Sequence, residues 1–167
     1  MTTLDLKQTQ ISSAIDLFSK GEINQALDAV QDLIKDYPNE PVLFNIRGAC
    51  YADLGQLDVA VTNYNEAIKI KPDYAKAHFN LGGSLHELGQ LKAAVKSYEK
   101  TLEIEPGYAE AHNNLGNVYK ELEQNELAVK SYQKALEFKP DYVEAQYSLG
   151  IMFQDLGQFD EAVKSYK

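Results

Sequence analysis

A period of 34 residues constrains this chain more than any other feature. Pro38, Pro72, Pro106 and Pro140 follow one another at steps of 34, and Pro41 is the only other proline. Gly48, Gly82, Gly116 and Gly150 keep the same step, as do Ala26, Ala60, Ala94, Ala128 and Ala162. Tyr64, Tyr98, Tyr132 and Tyr166 form a fourth register. Four residue types locked to one period define an internal repeat. A repeat of this length is one supersecondary unit that buries its apolar face on copies of itself.

Each period reads as two amphipathic helices. In the block from Ala75, Leu81, Leu85 and Leu88 recur at steps of four and three, a helical stripe. A turn at Gly89-Gln90 follows. A second stripe of Leu91, Ala94, Val95, Tyr98, Leu102 and Ile104 then runs to Glu105-Pro106, where proline disfavours helical geometry in the residue before it. Gly21, Gly55, Gly89 and Gly157 occupy the turns inside the repeats. Gly48, Gly82, Gly116 and Gly150 fall inside first helices, where glycine costs about 1 kcal/mol relative to alanine. Close approach of the second helix, with its recurring alanine facing the glycine, is the expected reason.

Composition narrows the function classes. The chain has 167 residues, 44% apolar and 25% charged, the profile of a folded protein. Sixteen Lys and Arg against 25 Asp and Glu leave a net charge of −9, which speaks against nucleic acid and anionic membranes as partners. Arg47 is the only arginine and Cys50 the only cysteine, so neither an intrachain disulfide nor a cysteine zinc cluster is available. No segment has the length of apolar residues that a membrane span needs, and the first 18 residues lack the pattern of a signal peptide. A reducing cytoplasmic setting is expected.

Catalytic constellations are weak. His78 and His112 are equivalent positions one repeat apart, and no His or Glu partner at metal-ligand spacing accompanies them or His86. Ser97, Ser131 and Ser165 recur without an activating base. Cys50, inside a first helix, suits a small buried hydrophobe. The chain itself is expected to have no catalytic residue, no metal and no cofactor.

The motifs resemble the tetratricopeptide repeat (TPR) family, with its Leu-Gly-x₂-Tyr, Ala-x₃-Phe/Tyr and Pro positions over 34 residues. Leu81-Gly82, Leu85, Ala94, Tyr98 and Pro106 fill one repeat. Leu115-Gly116, Tyr119, Ala128, Tyr132 and Pro140 fill the next, and Leu149-Gly150, Phe153, Ala162 and Tyr166 open another. The resemblance implies an all-α fold, a right-handed α-solenoid of helix-turn-helix repeats. It divides the chain into a leader, 1–6, and an array, 7–167. The array comprises a degenerate first repeat at 7–40, full repeats at 41–74, 75–108 and 109–142, and a truncated fifth at 143–167.

Three departures from the family pattern carry expectations. Ser13-Ala14 stands for Leu-Gly in the first repeat. Arg47 replaces a leucine and is expected to snorkel from the core edge toward an acid such as Asp28 or Asp32. Glu123 replaces a turn glycine, with Asn125 following, so the fourth turn is expected to be the loosest. The chain ends within a second helix at Lys167. Leu149, Phe153, Val163 and Tyr166 are therefore expected to lack a cover. The reading is a piece of a longer protein or array, able to self-associate through residues near 149–166.

In this family the first helices line a concave surface that takes partner segments, which implies a protein-interaction scaffold binding an extended peptide in that groove. The matching inward positions hold Asn45, Phe79, Asn113 and Tyr147 at one level, then Asn80 and Asn114, then Asn117, followed by His86 and Lys120. Asp53, Glu87, Glu121 and Asp155 border them as an acidic row. Asparagine amides offer both a donor and an acceptor, so a ladder of them can hold a peptide main chain. The strings AHFNLGG (77–83) and AHNNLGN (111–117) are similar to arrays of the O-linked N-acetylglucosamine transferase type, in which the asparagine before Leu-Gly has that role. The other readings are bonding of these amides inside the helix pair, an N-terminal substrate-positioning region of a larger glycosyl- or sulfotransferase, and a self-assembling structural array.

Overall fold

Proline and left-handed turn residues divide the chain into ten helices among the described residues. The computed structural model describes residues 3–165, with side chains from Leu6 onward. The helices are α1 Thr3–Ser19, α2 Ile23–Asp36, α3 Pro41–Asp53, α4 Leu57–Ile70, α5 Ala75–Glu87, α6 Leu91–Ile104, α7 Ala109–Glu121, α8 Asn125–Phe138, α9 Val143–Asp155 and α10 Phe159–Ser165. No strand occurs among these residues. The all-α class and the helix-turn-helix repeat expected from the sequence are both present. Four of the first helices begin at Pro41, Ala75, Ala109 and Val143, while α1 opens at Thr3, four residues ahead of Lys7. Two compact units form, one ending at Leu88 and the other starting at Gly89.

The recurring prolines build the links between repeats. In Lys71-Pro72-Asp73-Tyr74 the Tyr74 N–H donates to the Lys71 carbonyl at 3.1 Å, and Tyr142 donates to Lys139 at 3.1 Å in the same way. Proline thus sits at the second position of a four-residue turn, where its fixed φ is already correct. A side chain from the following helix closes the turns at Pro72, Pro106 and Pro140. His78 Nε2 donates to the Pro72 carbonyl at 2.9 Å, His112 Nε2 to Pro106 at 2.9 Å, and Gln146 Nε2 to Pro140 at 3.0 Å. The equivalent histidines are loop clasps, and an amide does the same work in the fifth repeat.

Within the repeats, the chain reverses through a left-handed residue. Gly55, at φ +72°, donates to the Ala52 carbonyl at 2.8 Å, and Gln56 reaches back to Tyr51 at 2.8 Å, closing the last turn of α3. Glu123 takes the same conformation at φ +59°, with the same bonds to Lys120 at 3.0 Å and from Gln124 to Tyr119 at 2.8 Å. The fourth turn therefore keeps the hydrogen bonds of its neighbours. Its departure is steric, since a Cβ in the left-handed region is held against the following backbone. Glu123→Gly is expected to raise stability by about 0.5–1 kcal/mol, the strain relieved less the extra freedom of the unfolded glycine. Chemical denaturation with an unchanged m-value checks this.

Helix pairing is closest where the buried glycines stand, and the contact is with tyrosine rather than alanine. A Cβ on Gly48 would lie 2.6 Å from Cε1 of Tyr64, and one on Gly116 would lie 2.6 Å from Cε1 of Tyr132. Real Cβ atoms do not approach a ring so closely. The glycine is a flat seat for the ring, and the alanine four residues earlier (Ala60 or Ala128, each fully buried) lets the helices close around it. Tyr64 and Tyr132 are accordingly almost completely buried. Tyr166, the last member of that register, lies outside the described residues.

Arg47 also finds other partners than the acids expected. Its Nε donates to Asn63 Oδ1 on α4, and its guanidinium lies 5.1 Å from the centre of the Phe44 ring. Asp32 is taken by Lys35 at 2.8 Å. Burial lowers the Arg47 pKa, with Tyr51 and Glu66 opposing that shift. An amide and a ring accept a half-buried guanidinium without a second desolvated charge, which explains why no carboxylate is required.

The C-terminal region is covered differently from the expectation. Leu149 and Phe153 pack with Ala128, Tyr132, Met152 and Ala162 in one cluster, because α10 folds back onto α9. Among the described residues, the large apolar side chains of α9, α10 and their turn left exposed are Val143, Tyr147, Leu156, Phe159 and Val163, with Phe159 66% exposed.

Candidate functional site

First helices of neighbouring repeats touch within each unit, α1 with α3 and α3 with α5 in one, α7 with α9 in the other. The sequence-derived site residues all lie on α3, α5, α7 and α9. In the N-terminal unit, Asn80 Nδ2 donates to Asn45 Oδ1 at 3.0 Å, joining two adjacent repeats through their amides. Asn45 is buried and Asn80 half-buried. Phe79 is half-buried, with the Lys76 ammonium 5.1 Å from its ring centre. His86 is half-buried next to Glu87, the exposed last residue of α5.

In the second unit the amides are arranged differently. Asn113 Nδ2 lies 3.4 Å from Asn114 Oδ1, whereas the buried Asn113 Oδ1 has no partner. Asn117 Oδ1 accepts the Tyr132 hydroxyl at 2.8 Å. Lys120 is exposed, 4.0 Å from Asp155, and Tyr147 is 61% exposed. So the structure brings Asn45 to Asn80, Asn113 to Asn114 and Lys120 to Asp155. Asn117 is turned to a core tyrosine. Bonding within the helix pair, one of the readings the sequence left open, holds for Asn117 and for one edge of Asn113.

The orphaned Asn113 oxygen has a simple origin. Asn45 meets the residue 35 places on, Asn80, and the corresponding partner of Asn113 is Ser148. The Ser148 hydroxyl is engaged with Tyr132 instead, and the Asn113 oxygen is left without a donor. Ser148→Asn is expected to restore the amide pair and stabilise the fold by about 0.5–1.5 kcal/mol. A thermal melt of the variant, with Ser148→Leu as the control lacking a donor, checks it.

A feature missed from sequence lies at the N-terminal end. A cleft of about 430 Å³ opens between α1, α3 and α5, walled by Ile15, Phe18, Ile46 and Ala49, with Asp53 and the Asn45–Asn80 pair at its edges. The degenerate first repeat concealed it, because α1 lacks the Leu-Gly landmark from which inward positions are counted. Ile15 and Phe18, three residues apart, were the available signal.

Burial pushes the Cys50 thiol up to about 11, with the Asp53 carboxylate adding to the shift, so it stays neutral near pH 7. The described residues hold no group of three His, Cys, Asp or Glu side chains placed for a metal, and no helix among them is long and apolar enough to cross a membrane.

Paired helices whose first members touch within each unit define a helical-repeat fold. A family model described as TPR repeat matches residues 48–89, 82–123 and 116–157, and the chain belongs to that family. The peroxisomal targeting signal receptor of Saccharomyces cerevisiae is 24% identical over 84 residues, which is 50% of this chain and 14% of the receptor. Hsp70-Hsp90 organizing protein 2 of Arabidopsis thaliana is 37% identical over 59 residues, 35% of this chain and 10% of that protein. These matches span only a small part of the curated relatives' length. Among solved structures, MamA from Desulfovibrio magneticus RS-1, residues 41 to the end, superposes with a TM-score of 0.84 at 24% identity, over 96% of this chain and 90% of that one. That likeness is one of fold.

Proposed function

We propose that this chain is a protein-interaction scaffold that holds an extended peptide or partner segment on the first-helix faces of its repeats. The observation that carries the reading is the Asn45–Asn80 pair at the edge of an open cleft. The bond between them uses one donor and one acceptor, and the amides have further valences of both kinds for a main chain. Asn80 and Asn114 are the positions that the likeness to O-linked N-acetylglucosamine transferase arrays assigns to main-chain contact. Phe79, His86, Lys120 and Tyr147 then select among side chains, with Asn45 and Asn113 supporting the amide rows and Asn117 acting through the Tyr132 hydroxyl it holds. Preformed helices cost little ordering entropy on binding, so modest contacts suffice for affinity. A titration of unrelated extended peptides from a display selection tests the reading: saturable binding with unchanged helicity supports it, and absence of any selectable peptide contradicts it.

A second element of the proposal is self-association through the fifth repeat, where Leu156, Phe159 and Val163 are exposed. Sedimentation of the chain should shift to larger species with concentration, and Phe159→Ser should abolish the shift. A monomer at every concentration contradicts this element. The setting proposed is the reducing cytoplasm, where a buried lone thiol such as Cys50 persists.

A further inference from the structure

The cleft of the N-terminal unit has an order along its length. On α3, Asn45 and Ile46 come first, Ala49 follows one turn on, and Ala52 and Asp53 close the helix. On the α1 side, Ile15 and Phe18 furnish the apolar wall, and Asn80 of α5 meets Asn45 across the opposite side. The cleft thus runs from amides, through an apolar stretch, to an exposed carboxylate. Its volume of about 430 Å³ accommodates a bulky side chain together with the chain that carries it.

Resting on the peptide-binding reading above, we infer that this cleft selects a peptide carrying a large apolar residue and, two positions away, a lysine or arginine. Ala49 and Asp53 are one helical turn apart, about 6 Å along the axis. Two residues of extended chain cover about 6.6 Å, and side chains two apart point to the same side. An apolar side chain seated between Ile15 and Ala49 therefore places the next same-side residue against Asp53. A cation is the complement of that carboxylate, in a chain whose formal charge is −9. Lys76, the basic residue of the cleft, belongs to the amide end, where its ammonium lies over the Phe79 ring, and so leaves the Asp53 end acidic. The occupant is a basic, apolar segment of a partner protein.

A randomised-peptide display library panned in parallel on wild type, Asp53→Lys and Ala49→Leu tests this, with affinities of the recovered peptides read by fluorescence anisotropy and folding by circular dichroism. Wild type should enrich an apolar and a basic residue two apart. Asp53→Lys, at an exposed position, should replace the basic preference by an acidic one, so the inference stays testable even where Ala49→Leu disturbs packing. Ala49→Leu fills the apolar stretch, and wild-type-selected peptides should bind it at least about tenfold more weakly. Peptides that bind wild type without the pairing, or that tolerate both variants, overturn this inference and leave the scaffold reading in place. Failure to recover any peptide overturns both.

Discussion

Tyr132→Ala is expected to cost about 3–5 kcal/mol, the range for truncating a fully buried aromatic ring. Tyr132 is completely buried, sits on the Gly116 seat within 2.6 Å of where a Cβ would stand, and donates to Asn117 Oδ1 at 2.8 Å. Its removal leaves a cavity between α7 and α8 and an unpaired amide oxygen. In a repeat array stability is close to a sum of unit and neighbour terms, so the loss should concentrate in the repeats around α7, α8 and α9. Hydrogen exchange of those helices, compared with α2 and α3, reads that localisation. Tyr132→Phe separates ring from hydroxyl and should cost only about 0.5–1.5 kcal/mol. The hydroxyl also has a pH signature. Burial holds it up to about 12, above its ordinary value near 10. The neutral form is thus favoured by folding, and its stabilisation is complete below pH about 10 and is lost as the pH rises toward 12. Tyr132→Phe should flatten that alkaline loss.

Ala128→Leu should produce the second large effect, through crowding instead of a void. Ala128 is fully buried in the cluster with Tyr132, Leu149 and Ala162. Three added carbons have no space there without displacing the ring from its glycine seat, at a cost of about 1–3 kcal/mol. Denaturant unfolding measures the cost, and exchange maps its reach. Uniform loss of protection in every helix would contradict the additive picture of the array.

The four registers at a step of 34 made most of the fold legible in advance. Proline positions marked the links, and the recurring glycine at 48, 82, 116 and 150 marked the first helices from α3 onward. What the registers could not convey was which member of a second helix touches the glycine. Alanine and tyrosine recur with equal regularity, and only the packed geometry shows the ring of Tyr64 or Tyr132 on Gly48 or Gly116. Arg47 was legible as a snorkelling side chain but not in its partner, because Asn63 lies on the paired helix 16 residues away. Leu149 and Phe153 were misjudged because α10, short as it is, suffices to fold over them. At the candidate site, repeat equivalence located the asparagines, whereas their bonding depends on neighbours 35 residues on. Asn80 meets Asn45, and Ser148 fails to do the same for Asn113. The cleft wall at Ile15 and Phe18 was hidden by the degenerate first repeat.

Main-chain recognition by asparagine is the central claim, and a binding series on Asn80→Ala and Asn114→Ala tests it most directly. The variants are made separately and together, and titrated with several display-selected peptides of unrelated sequence. Helix content by circular dichroism serves as the folding control, since alanine is a better helix former than asparagine. Each lost contact should weaken binding by about 0.5–1.5 kcal/mol, so the pair should lose roughly ten- to a hundredfold where the effects add. The loss should be similar for every peptide, because main-chain atoms are common to all, while Phe79→Ala should affect some peptides far more than others. Unchanged affinity in the folded double variant would contradict the account and remove the asparagines from the mechanism.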